Sequence, residues 1–344
     1  MRTISLPETM FLAEDYEALL NKFIEFSNSK NITELDLVCG EFSKDLLGKR
    51  LLNDCSSKFK INLYINELPS KSNQWLAAIG GGKILDKAKY FAAQNKINFI
   101  SIPTLISHDG ICSPVAVIDG KSLGAVMPSA LFVPLYIIRS SPIKQLHAGV
   151  GDLISNFSAI EDWKLAAKYK QSQIDDFAMM LSRRAVMNVV QMLDQSDLEV
   201  WQDISFIKSL VESLVLSGIA MSITGNSRPC SGAEHLISHA IDAKYGAGKI
   251  AMHGIQVMVA TLYLEALRGD NFDYIDHLYL DTKDFCHPER SEGSFSIKYS
   301  KLKTVLAKHN LPISFEDLKI QGIEDIISKA PLMRPDRFTI LNLI

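Results

Sequence analysis

The first 150 residues alternate between two kinds of apolar pattern. Residues 16–30 ("YEALLNKFIEFSNSK") and 44–52 ("KDLLGKRLL") carry apolar side chains at helical spacing. Short apolar runs predict strands, and they cover residues 34–40, 60–66, 75–80, 97–104, 113–119 and 131–138. The third run continues through a glycine turn into a helical segment, "GGGKILDKAKYFAAQNK". Strands that alternate with helices predict a parallel sheet covered on both faces.

The second half of the chain has a different pattern. From about Gly149 onward, apolar residues recur at helical spacing in residues 152–170, 177–193, 206–223, 234–245, 253–267 and 301–310. Strand candidates are scarce there. We therefore predict an α/β domain over residues 1–148 and an all-helical domain over residues 149–344. A cleft between two such domains is a favoured ligand site.

Composition narrows the function classes. The 344 residues are 47% hydrophobic and 22% charged, which is typical of a globular protein, and the formal net charge is −3. This charge gives no reason to expect a nucleic acid or an anionic membrane as partner. The first twenty residues lack an apolar signal region, and we expect no stretch long and apolar enough to span a bilayer.

The cysteines favour a reducing compartment. They are odd in number, widely scattered and without a CxxC pair: Cys39, Cys55, Cys112, Cys230 and Cys286. Reduced thiols in the cytoplasm fit this pattern better than a disulfide framework or a cysteine zinc site. Residues 285–296 ("FCHPERSEGSFS") are polar and predict a surface loop, an insertion that the fold tolerates. We do not expect Cys286 and His287 to bind a metal.

Three glycines, Gly80, Gly81 and Gly82, separate a buried strand from an amphipathic helix. Glycine allows a ligand to approach the backbone closely, and the start of the next helix offers N–H groups to a phosphate. A tight turn without a ligand is an equally good interpretation of this pattern alone. The motif is neither GxGxxG nor a Walker loop.

A second polar cluster follows the strand at 97–104. It comprises Thr104, Ser107, His108, Asp109 and Ser113. Open α/β folds bind ligands at the carboxyl ends of their parallel strands, so this position favours a binding site. A polar surface loop capped by Asp109 is the alternative.

Three residues of the second half, Asp152, His235 and His253, form a candidate metal constellation. Asp152 is expected at the start of a helix, where it is either an N-cap or a ligand. His235 and His239 are four residues apart and share a helix face, and His253 opens another apolar helix. A carboxylate with two imidazoles is a catalytic type of divalent metal site, although each histidine alone is more often a structural polar group.

Several motifs together resemble those of sn-glycerol-1-phosphate dehydrogenases. They are "GGGKILDKAK", "PTLISHDGICSPVAVI", "AGVGDLISNFSAIEDWKLA", "SRPCSGAEHLISHAID", "HGIQVMV" and "RPDRFTIL". That family belongs to the superfamily of iron-containing alcohol dehydrogenases and dehydroquinate synthases. The resemblance implies a Rossmann-like N-terminal domain, a helical C-terminal domain and a site in the cleft between them, the dehydroquinate synthase-like fold.

The resemblance also implies residue roles. The residues that would hold NAD(P) are Gly80, Gly81, Gly82, Lys83, Asp86, Thr104, Ser107 and Ser113. Asp152, His235 and His253 would bind one divalent metal, usually zinc in this family, with Fe²⁺ or Ni²⁺ as alternatives. Asp109, Asp152 and His239 would contact the substrate, and His239 would not be a ligand.

The implied reaction is the reversible reduction of dihydroxyacetone phosphate with NAD(P)H to sn-glycerol 1-phosphate, a precursor for phospholipid biosynthesis. His239 and Asp109 are the expected catalytic residues, with His239 placed to deliver a proton or hydrogen-bond a substrate hydroxyl. Arg228 either grips the substrate phosphate or makes a structural salt bridge. We also expect a cytoplasmic homo-oligomer, a dimer or larger, with a phosphorylated triose as substrate.

The sequence departs from the family in a few places. Ile255 replaces the usual acidic residue after "HG", Met258 replaces a small residue, and Phe338 replaces a tyrosine. Ile255 is expected to change the surroundings of His253, which puts the substrate in doubt. A polyol or alcohol dehydrogenase similar to glycerol dehydrogenase, a lyase similar to dehydroquinate synthase and a non-catalytic relative stay open as alternatives.

Overall fold

The computed structural model describes residues 4–71, 73–268 and 299–344. Its centre is a six-stranded sheet in which every neighbouring pair of strands is parallel, with the order β1-β8-β5-β4-β2-β3. The strands are β1 (Thr9–Ala13), β2 (Glu34–Cys39), β3 (Lys60–Ile65), β4 (Trp75–Gly80), β5 (Asn98–Pro103) and β8 (Ala130–Pro134). The predicted parallel α/β architecture is therefore confirmed.

Helices connect and cover the strands of this sheet. In the N-terminal part they are α1 (Tyr16–Ser29), α2 (Glu41–Ser43), α3 (Lys49–Cys55), α4 (Gly82–Asn95) and α5 (Leu135–Arg139). A π-helical turn, Lys44–Gly48, joins α2 to α3. Strands β6 (Val115–Ile118) and β7 (Lys121–Gly124) form a separate antiparallel hairpin that packs on α4.

The C-terminal region is helical, as predicted. Its helices are α6 (Ile143–Lys168), α7 (Asp176–Gln195), α8 (Ile204–Thr224), α9 (Ala233–Tyr245), α10 (His253–Arg268), α11 (Tyr299–Lys308) and α12 (Ile323–Met333). Helix α6 packs most extensively on α10, and α7 on α8. The domain boundary between residues 148 and 149 stays a prediction. The proposed insertion at 285–296, with Cys286, lies outside the described residues.

The structure corrects three expectations of the sequence analysis and adds two elements to it. Run 131–138 was predicted as one strand, but it changes into helix α5 after Pro134. Run 113–119 is a strand of the hairpin and lies outside the parallel sheet. Strand β1 and helix α12 were not predicted. Asp152 does not begin a helix, because α6 starts nine residues earlier, at Ile143.

Helix α8 also differs from expectation. By length and composition it could cross a membrane, with a mean hydropathy of 1.6 over its most apolar window. However, 61% of that window is buried inside the protein, and Phe206, Leu210 and Leu214 are fully covered. A mostly buried apolar helix is typical of the core of a soluble protein, and we interpret α8 in that way.

Candidate active site

The glycine turn joins β4 to α4 at the carboxyl edge of the parallel sheet. Gly81 precedes the first helical residue, Gly82, and the Gly80 carbonyl accepts a hydrogen bond from the Thr104 amide at 3.0 Å. A β-carbon on Gly82 would lie 2.0 Å from Nε2 of His108. A side chain at position 82 would therefore displace the His108 ring from the start of α4, where backbone N–H groups are available to a phosphate.

The other residues proposed to hold NAD(P) lie around this turn with different exposure. Lys83 is exposed, Ser107 is half-buried, and Thr104 and Ser113 are buried. Asp86 already has partners, because its carboxylate lies 3.2 Å from Nζ of Lys89 and accepts the backbone N–H of Val117 at 3.0 Å. Asp86 thus fastens the hairpin to α4, and its part in cofactor binding stays a prediction.

Asp109 connects the carboxyl edge of the sheet to the helical region. It begins a short 3-10 turn, Asp109–Cys112, and its backbone N–H donates to Oδ2 of Asp152 at 2.8 Å. Its own Oδ2 accepts a hydrogen bond from the Ser217 hydroxyl at 2.9 Å. Residues of the β5 edge, of α6 and of α8 therefore meet at one point.

Asp152, His235 and His253 converge as a candidate metal centre. Each offers one ligand atom, and the three atoms lie within 4.8 Å of one another. Oδ1 of Asp152 is 3.9 Å from Nε2 of His253, and the rings of His235 and His253 meet edge to face with centroids 4.9 Å apart. One carboxylate and two imidazoles leave positions open for substrate or water on a divalent ion.

Close packing of α6 against α10 creates this convergence. A β-carbon on Gly254 would lie 1.9 Å from the Ala148 carbonyl oxygen, and one on Gly151 would lie 2.2 Å from the Gly254 carbonyl oxygen. The two backbones therefore touch directly beside Asp152 and His253. This explains why "HAGVG" belongs to the helix although its glycines weaken the helical pattern.

Burial determines the electrostatics of the centre. Desolvation raises the pKa of Asp152 well above its usual range, and the neighbouring carboxylate of Asp109 adds to the effect. Burial also lowers the pKa of His235 and of His253 well below the usual range, so both imidazoles are neutral near pH 7. Neutral imidazoles have a lone pair for a metal, and the buried carboxylates require a positive partner. The donor set therefore fits a divalent cation.

His239 is adjacent to the three ligand residues but does not belong to that group. Its ring lies nearly parallel to that of His253, with centroids 6.1 Å apart, and burial lowers its pKa. This position beside the ligand atoms is compatible with the predicted contact between His239 and the substrate.

The predicted phosphate residue Arg228 is 9% exposed and binds a second loop. Its Nη1 donates to the Phe338 carbonyl at 2.6 Å, so its structural role includes a hydrogen bond to the backbone.

Arg337 donates to the Ser231 carbonyl and, at 2.9 Å, to the Ser227 hydroxyl. Burial lowers the pKa of Arg337 to about 9, and the charges of Arg334 and Arg228 contribute. Arg228, Arg334 and Arg337 are thus close enough to influence one another, and Arg334 and Arg337 also help to lower the pKa of His235.

Four polar residues of this region were missed by sequence reasoning. They are Ser217, Glu234, Ser238 and Gln256, and all of them are buried. Glu234 and Ser238 accept or share hydrogen bonds at Nδ1 of His235 and His253 respectively, each at 2.9 Å. For Glu234, Ser238 and Gln256 the sequence signal was position, since each lies within three residues of a proposed ligand in the sequence. Ser217 lies on α8, far from the proposed ligands in the sequence, and had no such signal.

Comparison with protein families supports the fold and its chemistry. The family model described as iron-containing alcohol dehydrogenase matches residues 17–142. The glycerol-1-phosphate dehydrogenase (NAD(P)+) of Thermococcus sibiricus is 32% identical over 362 aligned positions, which cover 99% of this chain and 93% of the relative. The enzyme of that name from Methanosarcina acetivorans is 33% identical, with 89% and 83% covered.

Among solved structures, glycerol dehydrogenase from Schizosaccharomyces pombe shares the fold. The TM-score is 0.69 at 19% sequence identity, with 98% of this chain and 85% of that chain covered. At this level of identity the comparison concerns the fold alone. The sheet, the helical region and their arrangement are those of the iron-containing alcohol dehydrogenase type.

Proposed function

Because the chain belongs to the glycerol-1-phosphate dehydrogenase family, we propose that it reduces dihydroxyacetone phosphate to sn-glycerol 1-phosphate with NAD(P)H, reversibly. The observation that carries this proposal is the hydrogen bond from Asp109 to Asp152. It joins the edge of the sheet that carries the glycine turn to the group of three ligand atoms. A reductase needs this proximity, because hydride donor and carbonyl must meet within about 3–3.5 Å.

We propose that Asp152, His235 and His253 hold one divalent metal, zinc by preference, with Fe²⁺ or Ni²⁺ as alternatives. A bound divalent ion would polarise the C2 carbonyl as a Lewis acid. Gly80, Gly81, Gly82 and the start of α4 would hold the pyrophosphate of NAD(P), aided by Lys83, Asp86, Thr104, Ser107 and Ser113. The nicotinamide would supply the hydride.

Two residues are proposed to act on the substrate directly. His239 lies beside His253 and would donate a proton or a hydrogen bond toward the substrate oxygen. Asp109, held by Ser217, would orient a substrate hydroxyl. Burial raises the pKa of Asp109 and lowers that of His239, so burial favours the protonated carboxyl and the neutral imidazole.

The substrate phosphate would bind among the gathered arginines. Arg228 is the first candidate, and Arg334 lines a cavity of about 520 Å³ together with Asn226 and Ser227. Burial and the charge of Arg334 lower the pKa of Arg228, so a bound phosphate dianion would relieve repulsion between the two. We further propose that the enzyme is cytoplasmic, acts in phospholipid biosynthesis and forms a homo-oligomer.

The test is a stereospecific assay of the product formed from dihydroxyacetone phosphate and NADH or NADPH, with and without added zinc. We expect sn-glycerol 1-phosphate and stoichiometric cofactor oxidation. Asp152→Asn and His253→Ala should each lower kcat/KM at least about 100-fold, which corresponds to about 2.7 kcal/mol. Asp176→Asn, an exposed carboxylate on α7, is the control and should leave turnover unchanged.

Other outcomes would select the alternatives. Faster oxidation of glycerol than of glycerol 1-phosphate would indicate a polyol dehydrogenase, and turnover without net cofactor consumption would indicate a lyase. A protein that binds neither metal nor cofactor would be a non-catalytic relative.

A further inference from the structure

A buried chain of hydrogen bonds leads from His253 away from the proposed metal. Nδ1 of His253 lies 2.9 Å from the Ser238 hydroxyl, and that hydroxyl lies 2.7 Å from Oε1 of Gln256. Nε2 of Gln256 in turn lies 3.0 Å from Oδ1 of Asp242. Ser238 and Gln256 are both fully buried. We call Ser238, Gln256 and Asp242 the amide chain.

The orientation of the Gln256 amide is determined by its two outer partners. Its nitrogen also lies 2.9 Å from the Ala251 carbonyl oxygen. A carboxylate and a carbonyl only accept hydrogen bonds, so the NH₂ group must face both of them. The carbonyl oxygen of Gln256 must therefore face Ser238.

This orientation fixes the proton of Ser238 and then the tautomer of His253. The Ser238 hydroxyl has one proton, and Oε1 of Gln256 can only accept it. The serine oxygen must then accept a hydrogen bond from the histidine, so Nδ1 of His253 carries the imidazole proton. The lone pair of His253 is thereby left on Nε2, which is the atom 3.9 Å from Oδ1 of Asp152.

A different partner fixes His235 in the same tautomer. Its Nδ1 lies 2.9 Å from Oε1 of Glu234, which is buried and also accepts the backbone N–H of Gly232. Nδ1 of His235 is therefore the donor and Nε2 has the lone pair. Both histidines thus keep the lone pair on Nε2, the nitrogen left for a metal, each because of a buried acceptor behind the ring.

We propose that Ser238 and Gln256 are positioning residues that hold His253 in the Nδ1–H tautomer and thereby determine the affinity of the site for a divalent cation. This proposal rests on the proposed function, because it takes His253 as a ligand. Outer partners of ligating histidines typically change metal affinity 10–100-fold when they are removed.

The amide chain also explains how His253 is supported beside Ile255. Ile255 is 9% exposed and packs in the apolar core, so it offers His253 no hydrogen bond. The acceptor behind His253 comes instead from α9, through Ser238, and from the next residue of α10, Gln256. The departure from the family at Ile255 therefore leaves the ring with a complete set of partners.

The experiment measures the Zn²⁺ affinity of the metal-free protein by competition with a chelator. Ser238→Ala removes the acceptor for Nδ1–H, and Gln256→Met lets the serine proton turn toward Nδ1, which favours the tautomer that cannot ligate through Nε2. We expect both variants to weaken Zn²⁺ binding 10–100-fold. Thr261→Val is the matched control, because Thr261 is also fully buried on α10 and its hydroxyl has no hydrogen-bond partner within the described ranges.

A second comparison tests whether the hydrogen bonds of the amide chain have the stated donors and acceptors. Gln256→Glu keeps an acceptor toward Ser238 but places a second acceptor against Asp242. The repulsion from Asp242 should cost some Zn²⁺ affinity, but less than Gln256→Met does, because the serine proton still points away from Nδ1 of His253. Adding Asp242→Asn supplies an amide donor for that acceptor and should recover at least part of the affinity. Asp242→Asn alone should have a small effect, since its amide oxygen can still accept from Gln256. Histidine ¹⁵N chemical shifts of the folded proteins should show Nδ1–H at His253 only where Ser238 is present and residue 256 offers it an acceptor.

Several results would overturn the proposal. Gln256→Met and Ser238→Ala proteins that keep the parental thermal midpoint without metal and bind Zn²⁺ within about twofold of the parent would contradict it. A Gln256→Glu protein that binds Zn²⁺ as weakly as Gln256→Met would contradict it too. A parent that binds no Zn²⁺ would remove this proposal and the metal site together. If the Zn²⁺ affinity of the parent depends on the amide chain as proposed, but the parent does not reduce dihydroxyacetone phosphate, the proposed function alone is overturned.

Discussion

At the scale of single residues, His147 links the stability of the fold to pH. It lies on α6 with its ring 4.4 Å from that of Trp201, edge to face, and within the described ranges its Nε2 has no hydrogen-bond partner. Burial, with a contribution from the charge of His309, lowers the pKa of His147 to about 4. In the unfolded chain the pKa of a histidine is near 6.5.

The sign of the pH effect follows from these two pKa values. Between about pH 6.5 and pH 4 the unfolded chain binds a proton that folded His147 does not, so the free energy of unfolding falls as the pH falls through this window. When the pH falls from 7 to 5, we expect the free energy of unfolding to decrease by about 1 kcal/mol less in His147→Phe than in the parent. This value is reduced to allow for the partial exposure of His147 to solvent.

Urea unfolding of both proteins at the two pH values measures this difference. The paired comparison is needed because burial raises the pKa of Glu265 to about 7, which makes its contribution change in the opposite direction. Equal pH slopes for the parent and the variant would show that His147 is not the residue responsible.

Sequence reasoning reached the histidines of the candidate site but not the residues that support them. His235, His239 and His253 were accessible because a histidine at the start or on one face of an apolar helix is conspicuous. Ser238 and Gln256 fit a helical pattern as ordinary small or polar residues. Their roles depend on which faces of α9 and α10 meet, and a single sequence does not contain that information.

At the scale of elements, the approach of α6 to α10 controls the candidate metal centre. Gly254→Ala would place a β-carbon about 2 Å from a backbone oxygen of α6, so the two helices must move apart. We expect a loss of about 1–3 kcal/mol of stability and a weaker affinity for Zn²⁺, because Asp152 and His253 lie on opposite sides of this contact.

Denaturant unfolding and zinc competition on the same samples test this expectation. Gly124→Ala is the control, since a β-carbon there meets no atom within 4 Å. If Gly254→Ala unfolded at the parental midpoint with parental zinc affinity, close packing would not be what holds the centre together.

The same contact explains one error of the sequence analysis. Gly149 and Gly151 interrupt the apolar pattern, so the helix was predicted to begin only at Asp152, whereas α6 begins at Ile143. Those glycines are in the helix because another backbone is next to them: a β-carbon on Gly149 would lie 2.2 Å from the Ile106 carbonyl oxygen. Tertiary packing here outweighs the low helix propensity of glycine. In contrast, the sheet order could not be predicted, because it depends on pairing between distant strands.

At the scale of the whole molecule, one apolar core extends across both halves of the chain. It includes Leu76 and Leu131 from the sheet as well as Leu153, Leu214 and Val259 from the helical region. The alternation of elements was readable from the sequence, but this shared core was not, because apolar periodicity does not reveal which faces meet. A shared core predicts that the two halves unfold together in spite of their different architecture.

Lys89 allows a test of this cooperativity. It is fully buried on α4, with Nζ 3.2 Å from the Asp86 carboxylate and 2.8 Å from the Gly110 carbonyl oxygen. Lys89→Met would leave a buried carboxylate without its cation, which costs about 3–5 kcal/mol. We expect a lower thermal midpoint for the whole protein. The control is Lys87→Met, an exposed lysine on the same helix.

The measurement must report on each half separately, and the tryptophans make this possible. Trp75 lies in the sheet, whereas Trp163 and Trp201 lie in the helical region. Proteins that keep only Trp75, or only Trp201, should show the same midpoint in fluorescence as in circular dichroism, and Lys89→Met should lower all of these midpoints together. A shared core couples the loss of the Asp86–Lys89 pair to every element packed on it. If the Trp201 fluorescence of Lys89→Met kept the parental midpoint, the helical half would unfold independently of the sheet.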